Sequence, residues 1–380
     1  MKKLLYISNI SNGVGSFGIA AVEAAKRCGL DFYYAANFSE GSKERMEADE
    51  KRLGIHVCQI DFSRSPYGKQ NKQAYKQLQE LIDREGIDYI HCNTPTGGLY
   101  GRLAGKKCKV ERVLYQAHGF HFFKGASKKN WMIYYPVEKW LAHKTDGLIT
   151  INQEDFDLAS QKLKLRGNGK VYYVPGVGME LSSYENVPDE RTALRGQLLL
   201  PEDAVLGLSM GDLIPRKNYA TAIKGLALCK EKLPKVHLAI CGKGAEEERL
   251  KSLAKELHVE DRVHFLGYCT NVKEWLAASD FFYLPSLQEG LPRSTMEAMA
   301  MGLPMLLGKI RGNVDLMEEC RGGEWFSPQS EVEFSQSLQK LLARDQQEMV
   351  DYNKKRIQDF SMEKVVAALT DIYQKEYVTK

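Results

Sequence analysis

The sequence predicts an α/β fold with two Rossmann-like domains, each built on a parallel, doubly wound sheet. Short apolar runs alternate with segments of helical spacing, which is typical of strands joined by crossover helices. This alternation occurs twice, on either side of a turn at residues 175–178. The length of 380 residues also exceeds what one hydrophobic core usually supports. In such sheets, ligands bind beyond the carboxyl ends of the strands.

The first series of elements predicts a domain over residues 1–175. Its expected strands are residues 4–8, 31–36, 55–60, 89–92, 112–117 and 147–151, and its expected helices are residues 16–27 and 71–85. The second series begins with the apolar run 170–174 and continues with strands at 205–210, 236–241, 262–265, 280–284 and 305–307. Helical spacing occurs at 219–233, 245–257, 272–278 and 295–300, and again in the tail at 331–377. We therefore expect a second domain over 176–360 and a terminal helix over 361–380.

Composition indicates a globular protein without metal or disulfide cross-links. Hydrophobic residues make up 43% of the chain and charged residues 27%, which is ordinary for a soluble fold. The eight cysteines are scattered without a C-x-x-C pair, so we expect reduced thiols in a cytoplasmic setting. The apolar run at the N-terminus is too short for a signal peptide, and no run of 18 apolar residues predicts a membrane span.

Positive charge is concentrated in the first half of the chain. Through residue 175 there are 27 Lys and Arg against 18 Asp and Glu, and the region from Arg102 to Lys144 holds ten basic residues and two acidic ones. Such a cluster predicts an anionic partner: a phosphate, a nucleic acid or an anionic membrane surface. A solvated lysine-rich face is the alternative.

A glycine-rich loop follows the first predicted strand. Gly13, Gly15 and Gly18 have the G-x-G-x-x-G spacing, in which backbone N–H groups approach a phosphate at a helix start. A dinucleotide site also needs an acidic residue at the end of the second strand, where this chain has Asn37 after two alanines. This argues against NAD. A phosphate-facing or substrate-facing loop and a plain tight turn both stay open.

Polar residues also follow two later strands of the first domain. His118 ends the strand at 112–117 and precedes Gly119, so its imidazole is predicted to point toward the ligand. Asn152, after the strand at 147–151, is a weaker candidate. Asp155 and Asp157 form a D-x-D pair, but they lie at a predicted helix start, where acidic residues favour the helix dipole. We therefore interpret them as structural and expect no metal.

The loop after the second domain's strand at 205–210 predicts a diphosphate site. Gly211 is followed by Arg216 and Lys217 immediately before a helix. Arginine supplies a fork of donors, lysine supplies a point charge, and a helix N-terminus adds partial positive charge. Gly242 and Gly267 follow the next two strands, where a backbone can approach a base or a phosphate.

Two carboxylates, Glu289 and Glu297, stand eight residues apart around the turn that contains Gly290 and Leu291. One is therefore presented from a loop and the other from the first turn of a helix, which suits a ligand with two separate hydroxyl-bearing parts. In the alternative interpretation, Ser294 and Glu297 form a capping box and serve only the helix end.

Together these motifs resemble glycosyltransferase family 4, the retaining, nucleotide-sugar-dependent enzymes of GT-B fold. The resemblance covers the whole chain, from the loop at Gly13 to the spaced glutamates and the tail around 360–373. It implies two domains facing each other across a cleft, with the terminal helix packing back on the first domain. The segment around His118 and Trp131 resembles bacterial enzymes that build exopolysaccharide, capsule or glycan on a polyprenyl-diphosphate carrier.

The resemblance also implies roles for individual residues. Arg216 and Lys217 would hold the donor diphosphate without a metal, and Glu297 would bind the ribose hydroxyls. Glu289 would contact the donor sugar, assisted by the backbone N–H groups near Gly290 and Leu291. His118 would contact the donor sugar near its reacting carbon. Gly13 and Gly15 would lie close to the phosphates.

The implied function is transfer of a hexose or N-acetylhexosamine from a nucleoside diphosphate sugar, UDP above others, to a lipid-linked or growing glycan. The expected partners are this donor, a lipid-linked saccharide acceptor and an anionic membrane surface at the region from Arg102 to Lys144, without nucleic acid. We expect a cytoplasmic protein, peripheral at the inner face of the cell membrane. A sugar-nucleotide epimerase or hydrolase, or a non-catalytic nucleotide-sugar-binding subunit, remain the alternatives.

Overall fold

The computed structural model describes residues 1–378 in two compact units. Unit 1 contains Met1–Gly178 together with the segment that begins at Met362, and unit 2 contains Met179–Ser361. The sequence prediction placed the corresponding boundaries at residues 175 and 360. Residues 379 and 380 of the predicted terminal helix lie outside the described residues.

Unit 1 is built on a parallel sheet of seven strands in the order β3-β2-β1-β4-β5-β6-β7. The strands are β1 (Lys3–Ile10), β2 (Asp31–Asn37), β3 (His56–Gln59), β4 (Tyr89–Asn93), β5 (Arg112–Ala117), β6 (Gly147–Thr150) and β7 (Lys170–Tyr173). The prediction that residues 170–174 open the second sheet is wrong. This run pairs with β6, with Gly147 opposite Lys170, so it completes the first sheet before the chain leaves it.

Six helices connect these strands: α1 (Ser16–Arg27), α2 (Lys43–Leu53), α3 (Asn71–Glu85), α4 (Pro95–Lys107), α5 (Lys128–Ala142) and α6 (Gln153–Lys162). The predicted bounds of α1 and α3 are confirmed. The unpredicted helix α4 contains glycines that let it approach the sheet closely. A Cβ atom at Gly98 would lie 2.3 Å from the Tyr115 ring, and one at Gly101 would lie 2.7 Å from the Cys92 Cβ.

Unit 2 is built on a second parallel sheet, of six strands in the order β10-β9-β8-β11-β12-β13. Its strands are β8 (Val205–Met210), β9 (Val236–Cys241), β10 (Val263–Gly267), β11 (Phe281–Leu284), β12 (Met305–Gly308) and β13 (Gly323–Phe326). Its helices are α7 (Arg191–Gln197), α8 (Tyr219–Cys229), α9 (Glu247–Glu256), α10 (Val272–Ala277), α11 (Arg293–Ala300), α12 (Asn313–Leu316), α13 (Glu331–Ala343) and α14 (Gln346–Arg356). The edge strand β13 was not predicted, because its four residues include a glycine and a glutamate.

The last helix, α15 (Met362–Tyr373), returns to unit 1 and packs against α1. Its apolar face contributes Val365 and Leu369 to the core that also contains Leu4. Beyond the helix, the Tyr89 hydroxyl donates a hydrogen bond to the Tyr377 carbonyl (2.6 Å), and the two rings stack with centroids 4.5 Å apart. Unit 1 is therefore assembled from two separate stretches of chain. Within the described residues, every helix is too short or too polar to span a bilayer.

Candidate functional site

In unit 2, two loops leave neighbouring strands at the point where the strand order reverses. Strands β8 and β11 are paired in the middle of the sheet, with Gly207 opposite Phe281. The loop that begins at Gly211 follows β8, and the loop that contains Glu289 follows β11. Such a switch point is where open α/β sheets bind ligands. The fold therefore brings together predicted site residues that lie far apart in the sequence.

Two cations of the first loop share one carboxylate of the second. The Lys217 Nζ lies 2.8 Å from the Glu289 Oε1, and an Arg216 guanidinium nitrogen lies 3.2 Å from the same oxygen. The side chains of Lys217 and Glu289 are only 11% and 10% exposed, whereas that of Arg216 is 42% exposed. Because one carboxylate faces two cations, the cluster keeps an excess of positive charge that can attract an anion.

Backbone geometry places Lys217 over its own loop. Gly211 has φ +147°, and a Cβ atom there would lie 2.8 Å from the Lys217 Cε, so a larger residue would displace the lysine. Asn218 has φ +57°, and its side-chain amide donates to the carbonyls of Pro285 (3.0 Å) and Pro328 (2.7 Å). Sequence analysis assigned no role to Asn218. Its tolerance of the left-handed region, directly before a helix, was the available signal.

Gly242 follows β9, the strand beside β8, and Gly267 ends β10, which lies beside β9. The Gly242 N–H donates to the Gly267 carbonyl (2.7 Å), and a Cβ atom at Gly242 would lie 2.0 Å from the Gly211 carbonyl oxygen. Gly242 is therefore required for close packing of the loops, whatever it contacts in a ligand. Gly267 has φ +68°, a conformation that favours glycine.

The loop between Glu289 and Glu297 is stabilised by a hydrogen bond from Arg311, a residue that sequence analysis missed. Arg311 is 6% exposed, and its Nε donates to the Glu289 carbonyl (3.1 Å). A Cβ atom at Gly312 would lie 2.4 Å from the Gly290 carbonyl oxygen. Leu291 is buried in the core of this unit. No motif marked Arg311, because its contact depends on β12 lying beside β11.

Glu297 lies on α11 and is paired within that helix. Its carboxylate accepts a hydrogen bond from the Arg293 Nε at 2.9 Å. Burial raises the pKa of the Tyr184 hydroxyl, and the nearby Glu297 carboxylate raises it further. The capping-box interpretation is wrong, because α11 begins at Arg293 with Pro292 in the cap position, so Ser294 already lies inside the helix.

In unit 1, the glycine loop and the predicted histidine lie at the same edge of the sheet. The Phe17 and His118 rings meet edge to face with centroids 4.0 Å apart. Gly13 has φ +148°, and the next N–H, of Val14, donates to an Asp49 carboxylate oxygen at 2.9 Å. Sequence analysis missed Asp49, which lies on α2, a helix too polar for its spacing to stand out. Gly15 occupies the cap position of α1.

His118 presents a neutral imidazole. Burial without a charged partner lowers its pKa to about 4, so the ring carries no charge near neutral pH. Its Nε2 is buried and has no hydrogen-bond partner within unit 1. The side chain borders a cavity of about 340 Å³. An unsatisfied buried nitrogen of this kind is costly, and a ligand hydroxyl can satisfy it.

Asn152 has a structural contact that the prediction did not assign to it. It is fully buried, its side-chain oxygen accepts from the Asp155 N–H (2.9 Å), and its amide donates to the Asp155 carboxylate (2.8 Å). Both polar atoms of its side chain are therefore used in capping α6. Asp155 also accepts from the Phe120 N–H (3.0 Å), which confirms that the first acid of the D-x-D pair is structural. Within residues 1–378, no group of three or more His, Cys, Asp or Glu is arranged to hold a metal ion.

The basic region is less basic at its surface than the sequence suggests. Arg102 is 2% exposed and forms an ion pair with Glu138, and Lys144 is 8% exposed with its Nζ over the Trp140 ring at 3.6 Å. Both ends of the predicted region are therefore buried in unit 1, and they are not available to a membrane. The exposed basic residues that remain are Lys106, Lys107, Lys109, Arg112, Lys124, Lys128, Lys129 and Lys139.

The two sheets and their connections define a fold class, GT-B, which glycosyltransferases share. The structure of Anabaena Alr3699/HepE in complex with UDP-glucose matches with a TM-score of 0.77 at 20% identity, over 99% of this chain and 100% of that one. The predicted fold class is therefore confirmed. This likeness concerns the fold and not the ligand.

Sequence comparisons place the chain within that class. Residues 190–357 match the family model described as glycosyl transferases group 1, and residues 37–152 match that of glycosyl transferase 4-like proteins. A putative glycosyltransferase EpsD of Bacillus subtilis is 33% identical over 377 residues, covering 98% of this chain and 96% of that protein. The UDP-Gal:alpha-D-GlcNAc-diphosphoundecaprenol alpha-1,3-galactosyltransferase of Escherichia coli is 28% identical over 240 residues, covering 62% and 61%.

The chain thus belongs to the group 1 glycosyltransferases, with a glycosyltransferase 4-like first domain. The predicted resemblance to family 4 and the prediction of a transferase enzyme are both confirmed. Membership of this family favours the transferase over the epimerase, hydrolase and binding-subunit alternatives.

Proposed function

We propose that this enzyme transfers a hexose or N-acetylhexosamine from a UDP-sugar to a polyprenyl-diphosphate-linked or growing glycan, with retention of anomeric configuration. The product would enter exopolysaccharide, capsule or related glycan biosynthesis. Support for the acceptor class comes from the name of the Escherichia coli relative, which specifies a diphosphoundecaprenol-linked sugar. Support for UDP comes from that name and from the UDP-glucose complex of the Anabaena protein.

The shared-carboxylate cluster of unit 2 is the observation that carries this proposal. Arg216 and Lys217 would bind the donor diphosphate in place of their contact with Glu289. Guanidinium and ammonium donors can neutralise the charge that grows on the departing nucleotide, and they need no metal for this. The proposed enzyme therefore uses no cofactor. The diphosphate would release Glu289 to contact hydroxyl groups of the donor sugar, beside the backbone N–H groups of Gly290 and Leu291.

Glu297 is proposed to bind the ribose hydroxyls. Its partner Arg293 holds the carboxylate without enclosing it, since the Arg293 side chain is 56% exposed. A carboxylate can accept hydrogen bonds from two neighbouring hydroxyls at once. The two glutamates would then act on different parts of the donor, with Glu297 governing nucleotide affinity and Glu289 governing turnover.

In unit 1, neutral His118 is proposed to hydrogen-bond the donor sugar near the reacting carbon. An uncharged imidazole suits this role, because it orients a hydroxyl without opposing the positive charge that develops on the sugar ring. The acceptor hydroxyl would attack from the face that the nucleotide leaves, and the departing phosphate would take its proton. Gly13 and Gly15 would let the loop approach the phosphates closely.

We further propose that the enzyme is cytoplasmic and peripheral at the inner face of the cell membrane. Exposed lysines on and before α5, among them Lys124, Lys128 and Lys139, would contact anionic lipid headgroups. Sedimentation with anionic and neutral vesicles tests this. Equal binding to both, unaffected by removing these lysines, would contradict it.

The donor assignment is tested by a thermal-shift screen with UDP- and GDP-sugars, since a ligand that binds the folded state raises the unfolding temperature. We expect UDP-sugars to stabilise the enzyme more than GDP-sugars. Single-turnover transfer should then be measured for Lys217→Ala and Glu289→Ala. Unchanged transfer in both variants would refute the assigned roles.

A further inference from the structure

Unit 1 contains a cavity of about 340 Å³ beyond the ends of β4 and β5 and against α5. Its walls come from the loop after β3, from α4, from the segment after β5 and from α5. Most of the lining side chains are apolar or aromatic, including Pro66, Leu99, Phe120, Tyr134, Val137 and Leu141. The volume lies at the lower end of the range for small-molecule sites, about 300–1,000 Å³. The cavity therefore suits a short apolar group.

The two charged residues in the wall satisfy each other. Both guanidinium NH₂ groups of Arg102 contact the Glu138 carboxylate, one of them at 3.1 Å, and the Arg102 Nε donates to the Gly98 carbonyl at 2.8 Å. The guanidinium also stacks on the Tyr115 ring, 3.8 Å from its centroid. Because the charges of Arg102 and Glu138 neutralise each other and their polar atoms are already hydrogen-bonded, this pair offers no free charge to a ligand. A saccharide would therefore find few free polar partners along these walls.

His118 adds a polar group to the wall of the cavity, a buried Nε2 without a hydrogen-bond partner. The same ring contacts Phe17, next to the glycine loop at the sheet edge. A molecule in the cavity would thus have a polar end beside His118 and an apolar part along α4 and α5.

Helix α5 connects the cavity wall with an exposed apolar strip on its own surface. Met132, Ile133, Val137 and Trp140 are 76%, 40%, 44% and 51% exposed, and helical spacing places them along one side of the helix. Val137 belongs both to this strip and to the cavity wall. Exposed lysines of the same helix, Lys128, Lys129 and Lys139, accompany the strip. Apolar residues accompanied by basic ones are typical of a helix that lies on a bilayer.

We propose that this cavity binds the isoprenoid units of the acceptor that lie next to its diphosphate. The lipid chain would pass from the bilayer beside Val137 into the cavity, and its polar head would emerge near His118, where the donor sugar is proposed to react. This inference rests on the proposed lipid-linked acceptor, and it adds a specific site for the chain. The enzyme would then recognise the carrier by its chain as well as by its sugar.

A binding experiment tests the cavity apart from transfer. The full-length enzyme is titrated with farnesyl diphosphate, with inorganic diphosphate and with a straight-chain alkyl diphosphate. We expect farnesyl diphosphate to bind at least tenfold more tightly than the other two. Leu99→Trp fills the cavity from α4 and should abolish this preference, and Val137→Trp tests the same point from the α5 side. Leu228→Trp, on the exposed side of α8, is the control for adding an indole.

Transfer is measured with the same variants, using one glycosyl diphosphate head attached either to a polyprenyl chain or to an ethyl group. We expect the cavity-filling variants to raise KM for the polyprenyl acceptor about tenfold and to leave the ethyl acceptor unchanged. Equal farnesyl binding in wild type and in both variants would overturn the cavity proposal. Equal binding of the straight-chain probe would overturn its assignment to isoprenoids.

The two levels of the proposal fail separately. Farnesyl binding that is lost on filling the cavity, without transfer to any lipid-linked acceptor, would support the cavity and contradict the proposed acceptor. Circular dichroism melting curves show whether each variant is folded. If Leu99→Trp is unfolded, Val137→Trp at the more exposed position decides.

Discussion

The carboxyl-end edges of the two sheets differ in chemical character. In unit 2, the edge carries Arg216, Lys217 and Glu289 on glycine-bordered loops. In unit 1, it carries a neutral His118 beside an apolar cavity. Both edges belong to parallel sheets with a reversal of strand order in the middle. The difference shows that the same kind of sheet can present different side chains at its carboxyl-end edge, and the function of each edge depends on those side chains.

The two units also use ion pairs differently. The Arg102–Glu138 ion pair in unit 1 is bidentate, and its arginine side chain is 2% exposed. The two charges therefore neutralise each other inside the unit. In unit 2, one carboxylate serves two cations, and Arg216 is 42% exposed. We therefore expect the first pair to act on stability and the second cluster to act on catalysis.

The largest effect is expected from breaking the buried pair. Glu138→Ala leaves the Arg102 charge buried and unpaired, which should cost about 3–5 kcal/mol of unfolding free energy. Urea denaturation curves measure this loss. The double variant Arg102→Met with Glu138→Leu removes both charges and should be considerably more stable than the single variant. If the single variant is as stable as the double one, the pair has no such role.

The next effect concerns the cluster in unit 2. Lys217→Ala should lower kcat/KM for sugar transfer by about 100-fold to 1,000-fold, because one donor to the departing nucleotide is lost. Unfolding free energy should change much less than in Glu138→Ala. Initial-rate measurements with Lys224→Ala, an exposed lysine on α8, provide the control. Retention of most of the activity in Lys217→Ala would remove the distinction between the two ion pairs.

A smaller effect separates the two glutamates. Glu297→Gln should weaken UDP binding by about 10-fold to 150-fold, since a hydrogen bond to a charged group contributes about 1.5–3 kcal/mol. Glu289→Gln should instead lower turnover more than it lowers UDP affinity. Titration calorimetry with UDP and steady-state kinetics distinguish the two, with Glu256→Gln on exposed α9 as the control. Equal effects of both variants on affinity would contradict the assigned roles.

The last effect, which appears only at acidic pH, is the pH dependence that His118 confers on stability. Its folded-state pKa, about 4, lies below the usual value of 6.5, so the unfolded chain takes up the proton first as the pH falls. The contribution of this group is fully present above pH 6.5 and declines toward pH 4, by about 1.4 kcal/mol per pH unit at most. His118→Gln should flatten this slope, and His143→Gln, at an exposed position, should not. Unfolding curves at several pH values measure the slope for each protein. If His118→Gln has the same slope as the wild type, His118 is not held in its neutral form by burial.

Much of this fold was predictable because apolar runs separated by helical spacing mark buried strands of parallel sheets. Helices α1 and α3 were located to the residue. Helix α4 was missed because its glycines resemble loop residues, although they serve close packing against β4 and β5. Strand β7 was attributed to the wrong sheet, since pairing partners are not encoded in a local pattern.

The candidate site was predictable in its parts and not in its contacts. Arg216, Lys217 and Glu289 carried a recognisable pattern, but their mutual ion pairs depend on β8 lying beside β11. Arg102 and Lys144 were misread as surface charges, because sequence alone does not show which side of a helix faces inward. The contacts of Arg311 and Asn218 to distant carbonyls arise only once the strands are aligned.

The return of α15 to unit 1 has a consequence for the order in which the molecule forms. Val365, Leu369, Tyr373 and other residues after Met362 complete a core whose remaining members precede residue 178. During synthesis, unit 2 is therefore translated in full before the last core residues of unit 1 leave the ribosome. We expect that unit 2 can fold first. Until α15 is synthesised, the apolar surface of unit 1 that it covers, next to α1, would stay exposed. Any fusion or deletion that delays α15 would extend the time for which that face is exposed to aggregation.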